Sequence, residues 1–120
     1  MKVLIILGIF LVSCGVYKYE YKKNKKVIVS KNGNPITLVI IKNVNREVLA
    51  QFEAISEKPN REFSLMDFSP DKFESMNNLP FYFENGNIYL LEIHPVADRV
   101  LPPIIIKIEP SGQMVELKHL

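Results

Sequence analysis

A chain of 120 residues is long enough for one domain with its own apolar core and too short for two. Its single cysteine, Cys14, excludes disulfides, Cys-based zinc sites and thiol catalysis from the rest of the chain. The net charge of +2 is unevenly spread, since residues 17–26 carry five Lys and one Glu whereas residues 27–120 carry nine basic and twelve acidic residues; a body without basic excess is not built for nucleic acid.

Taken in order, Lys2 precedes an unbroken apolar run from Val3 to Val12, followed by Ser13 and Cys14. Leu11-Val12-Ser13-Cys14, at the end of an apolar stretch of signal-peptide length, resembles the lipobox of bacterial lipoproteins. The resemblance implies that Cys14 receives a diacylglycerol and further acyl chain such as palmitate, that residues 1–13 are removed, and that the mature chain starts at a lipidated Cys14. Each acyl chain stabilises membrane attachment by about 0.8 kcal/mol per buried CH₂, so two or three anchor durably. Gly15, in the place where an Asp would retain an enterobacterial lipoprotein, implies sorting to the outer membrane, facing the periplasm, in a Gram-negative cell. The alternative is a single-pass anchor without lipidation. It is favoured by Lys18, Lys22, Lys23, Lys25 and Lys26, which follow the apolar run and suit a cytoplasmic flank. Against it, the run from Val3 to Tyr17 would span roughly 22 Å as a helix, short of the ~30 Å hydrocarbon core. The organisation expected is therefore a signal peptide over 1–13, a lipid anchor and basic tether over 14–26, and a small globular domain over 27–120.

Within 16–21, Tyr17, Tyr19 and Tyr21 alternate with Lys18 and Glu20, the period of a strand or of an aromatic belt at a membrane surface, and the stretch is assigned to the tether. The body then places Gly33, Gly86 and Gly112 in turn dipeptides between apolar runs. Asn32-Gly33 separates Val27–Val29 from Ile36–Ile41, Asn85-Gly86 separates Phe81–Phe83 from Ile88–Ile93, and Ser111-Gly112 separates Ile104–Glu109 from Met114–Lys118. Because Asn-Gly tolerates the positive φ of tight turns, the three predict three hairpins. Val48, Leu49, Phe52 and Ile55 recur at helical spacing behind an Asn45 cap, which predicts a main helix ending at Lys58-Pro59. Ser69-Pro70 predicts a short second helix. The expected class is α+β, an antiparallel sheet of about six strands with one main helix. The alternative is an all-β sandwich, in which Val48-Ala50-Phe52-Ala54 alternates as a strand.

Motifs that carry chemistry are scarce. The sequence contains no Gly-rich phosphate loop, nucleophile elbow or His-Glu-x-x-His pattern, so no cofactor or metal site is expected. Glu92 and His94 share one face of a predicted strand and could pair as carboxylate and imidazole, although a partly exposed strand-end histidine before Pro95 is the favoured account of His94. Asp67, Asp71 and Glu74 resemble paired carboxylates, yet Asp71 near a predicted helix start is explained by the helix dipole and Glu74 by a solvated face. The connection His94 to Pro103, with Pro95, Pro102 and Pro103 around Arg99, Val100 and Leu101, is the expected partner-binding segment, since an Arg beside two aliphatics is common interface chemistry; the plainer reading makes it a rigid crossover. The function expected is that of a lipid-anchored envelope protein whose monomeric domain binds a protein partner without catalysis, as an accessory, inhibitor or immunity-type protein does. The alternative is a small envelope hydrolase using carboxylates or His94.

Overall fold

The computed structural model describes residues 18–55, 60–95 and 101–120. Cys14, Arg99 and Val100 lie outside the described residues. Within them the chain forms strands β1 (Tyr19–Lys22), β2 (Val27–Ser30), β3 (Leu38–Lys42), β4 (Val48–Ala54), β5 (Glu62–Ser64), β6 (Phe73–Ser75), β7 (Ile88–His94), β8 (Ile104–Ile108) and β9 (Met114–Leu117). All pairings are antiparallel and make two sheets, a small one ordered β1-β2-β5 and a large one ordered β6-β4-β3-β7-β8-β9. The described residues contain no helix, so the fold is all-β and the expected α+β class with one main helix is overturned.

The main helix fails on burial. Of its four stripe residues, Val48 is 57% and Ile55 56% exposed, whereas Ala50 and Phe52, two apart, are buried. A period of two with both backbone edges occupied, by β3 and β6, is a central strand. What looked like a helix start is the turn between β3 and β4. There the Asn43 side-chain oxygen accepts from the Asn45 and Glu47 amides at 2.9 and 3.0 Å, its amide donates to Glu47 at 3.0 Å, and Arg46 takes φ 65°. This hairpin escapes a search for Gly because a non-glycine residue supplies the positive φ. Likewise Ser69-Pro70 starts no helix: Phe68 and Ser69 both have positive φ, and Asp67 accepts from the Ser69 amide in a tight turn.

Only one of the three glycine turns closes the expected hairpin, β8 to β9 around Gly112. Gly33 has φ 75°, as an Asn-Gly turn requires, but β2 pairs with β1 and β5 and the turn carries the chain from the small sheet to the large. Residues 81–83 before Gly86 form no strand. Conversely, the alternation at 19–21 is a strand, with Tyr21 only 7% exposed, so the folded unit reaches back to Lys18 and takes in most of the expected tether.

The two sheets face each other over one core in which Ile28, Phe63 and Leu65 from the small sheet and its exit meet Val39, Ile41, Leu91 and Ile106 from the large one. Register defines two ends. Leu38, Ala54, His94, Ile104 and Leu117 stand at the end where Lys18 enters, and Lys42, Val48, Ile88, Ile108 and Met114 stand at the end of the Gly86 turn. The Lys31 amide bond to Lys18 and the Tyr19 hydroxyl, donating to Pro35 at 2.7 Å, fix the small sheet at the Lys18 end.

Candidate functional site

At the Lys18 end the sheets part on the β1 side, leaving an open cleft of about 340 Å³. Ile93, Leu101 and Ile104 supply an apolar floor, while Lys18, Glu20, Lys31 and Glu116 supply the charge. Glu20 is paired with Lys22 at 3.3 Å and with Lys31 at 3.7 Å. Burial, reinforced by the Glu20 carboxylate, raises the pKa of Glu116. Tyr21 is raised as well, by burial and then by Glu116, and its hydroxyl makes a long 3.4 Å bond to the Met114 carbonyl.

A different surface occupies the Gly86 end. Here the segment from Met76 to Asn87 crosses from β6 to β7, and Phe81 and Phe83 dip inward against Phe68 and Tyr89 with ring centroids 4.9 to 6.0 Å apart. Alternation turns the intervening Tyr82 outward, 75% exposed, beside Leu79 at 77%. Two clefts flank the Pro80-Phe81-Tyr82 ridge: one of about 740 Å³ reaching Val44, Leu49 and Ile88, the other of about 360 Å³ reaching Met66, Phe68 and Phe73. Among the described residues, the charged ones lining them are Glu84 and Asp67, one in each. The ridge is held firmly. Asn77 exchanges side-chain bonds with the Leu49 carbonyl and the Gln51 amide at 2.7 and 2.9 Å, the Glu84 amide donates to the Tyr89 hydroxyl at 2.8 Å, and the Gly86 amide donates to Ile108.

The third cluster lies on the outer face of the large sheet. Lys42 meets Glu92 at 2.6 Å, and His94 Nε2, buried and without a hydrogen bond, stands 3.6 Å from the other Glu92 oxygen. Glu92 and His94 thus share a face, but Glu92 is held by Lys42, and neither residue lines any of the clefts just described. Among the described residues no group of three His, Cys, Asp or Glu comes together as metal ligands.

Of the expected partner-binding residues, Leu101 is the one described, and it lies in the Lys18-end cleft rather than on the aromatic ridge. Sequence reading missed the ridge because Phe81-Tyr82-Phe83 alternates as a hairpin strand would. The signal that could have found it is Leu79-Pro80, which breaks such a strand where a sheet would need it continued. The chain matches no protein-family model, no curated protein and no solved structure.

Proposed function

We propose that this is a lipid-anchored cell-envelope protein, attached through Cys14, whose sandwich domain binds a protein partner and performs no chemistry of its own. The observation that carries the binding reading is the ridge of the Gly86 end, where Leu79 and Tyr82 are about three-quarters exposed on a backbone fixed by hydrogen bonds at both ends. Large apolar side chains presented on a rigid support lose little entropy on contact, which is what an interface anchor requires. With Glu84 and Asp67 as the charges of the flanking clefts, the complementary occupant is an apolar protein segment carrying Lys or Arg. The hydrolase alternative finds no support in the geometry of Glu92, which Lys42 engages and which lines none of the clefts described above.

The test replaces Tyr82 with a photo-crosslinking amino acid in the membrane-attached chain and sequences the peptide joined to it. An adduct with one apolar, basic segment, weakened by Leu79→Ala and unchanged by His94→Ala with Glu92→Ala, is expected. Absence of an adduct from a folded chain, or an acidic peptide at the site, overturns the assignment; loss of the adduct in the His94 and Glu92 variants returns the argument to that cluster.

A further inference from the structure

We infer that the Lys18 end of the sandwich rests directly on the headgroups of the bilayer that holds the N-terminal segment, with Leu101 and Pro102 turned to lipid. The inference rests on the anchored reading and adds to it an orientation. Its first support is reach. β1 starts at Tyr19, and Cys14 and Lys18 are four residue steps apart, a distance of no more than ~14 Å when fully extended. The headgroup layer takes about 5–8 Å of that, leaving less than the ~10 Å between two packed sheets. A domain joined this closely cannot stand off the membrane, and the single-pass alternative, with its apolar run ending nearer still, imposes the same constraint.

The second support is the chemistry of that end. The exposed cations Lys18, Lys31, Arg61 and Lys118 fringe it: Lys31 and Arg61 are tied to Lys18 and Ser30 through the backbone, and Lys118 follows the last residue of β9. Exposed Pro102 and half-buried Leu101 lie in the same cleft as Lys18, and Ile55 emerges from the adjoining end of β4 at 56% exposure. Lys and Arg around protruding apolar groups match an anionic headgroup layer, at roughly 1 kcal/mol per cation near the surface. Glu20, Glu53, Glu62 and Glu116 are the opposing charges of that end, Glu20 paired with Lys31 and Glu116 held within the cleft, so the reach of the N-terminal segment rather than net charge carries the inference. The ridge around Tyr82 is carried at the opposite end of the sheets, facing away from the lipid.

The chain contains no Trp, so a single Trp reports depth without background. The full chain is purified with its anchor, reconstituted into phosphatidylcholine and phosphatidylglycerol vesicles brominated high on the acyl chains, and first tested for flotation against Cys14→Ala. Pro102→Trp and, independently, Lys118→Trp are expected to lose most of their emission to bromine and shift to the blue, whereas Tyr82→Trp keeps its emission. A chain that does not float with vesicles sinks the anchored reading and this inference with it. A chain that floats but shows unquenched Pro102→Trp and Lys118→Trp, or equal quenching at Tyr82→Trp, overturns the orientation alone.

Discussion

Glu116 carries its charge against two adverse influences, partial burial and the Glu20 carboxylate, and both raise its pKa above 4.5. A group raised in the folded state binds its proton more tightly there than in the unfolded chain. Its contribution to stability is therefore complete below the unfolded value and is lost as pH rises through the higher folded one. Glu116→Gln removes the charge and keeps the shape. The variant is expected to show a higher urea midpoint than the parent at pH 7, and the difference should vanish as pH falls below about 4, where both carry a neutral side chain. Urea titrations at the two pH values check it; a variant less stable at pH 7 would show that the carboxylate is stabilising. Tyr21 has the same sign at alkaline pH, its contribution present below 10.0 and lost above the raised folded value.

At the scale of an element, the turn from Asn43 to Glu47 sets the register of the two strands at the middle of the large sheet. Asn43 alone holds three side-chain bonds, two accepted from backbone amides and one donated to Glu47. Each of the two bonds accepted from backbone amides contributes about 0.5–1.5 kcal/mol net, so Asn43→Ala is expected to cost about 1–3 kcal/mol in chemical denaturation through them. The adjacent irregularity between Ile41 and Lys42 makes the register sensitive to this loss. Asn43→Asp, which retains the acceptor oxygens, should recover most of the difference. An unaltered midpoint in Asn43→Ala would show that Arg46 at φ 65° and the strand ladders define the turn without the side chain.

At the scale of the whole molecule the small sheet is a lid over part of the large one, and β1 is its outer strand. A chain starting at Val27 lacks the buried Tyr21 ring and exposes the edge of β2. Burying a side chain of that size is worth about 1.5–3 kcal/mol, a sizeable share of the ~5–15 kcal/mol that holds a domain together. Such a chain is expected to unfold at lower urea and to self-associate through the bare strand edge, whereas one starting at Lys18 remains monomeric. Equal midpoints by denaturation and equal masses by light scattering would show that the hairpin of β1 and β2 is dispensable. The same lid places Lys18 at one end of the sandwich and the rigid aromatic ridge at the other, so that under the proposed anchoring a partner would be met on the side away from the membrane.

The alternation of Ile104, Ile106 and Ile108 and the Ser111-Gly112 turn specify the last hairpin by themselves, because a local turn and a period of two need nothing from the rest of the chain. The resemblance of Leu11-Val12-Ser13-Cys14 to a lipobox is likewise read from sequence alone, and it lies outside the described residues. Residues 48–55 were not decided locally. Val48, Leu49, Phe52 and Ile55 satisfy a helix and Ala50, Phe52 and Ala54 satisfy a strand, and the choice fell to β3 and β6, whose open backbone edges only a strand can pair. Nor could the turns at Gly33 and Gly86 announce their partners: positive φ fixes how the chain bends, while the strand it then pairs with depends on which apolar faces must cover one another across the sandwich. That is also why Leu101, separated from Lys18 by eighty-three positions of sequence, comes to share its cleft.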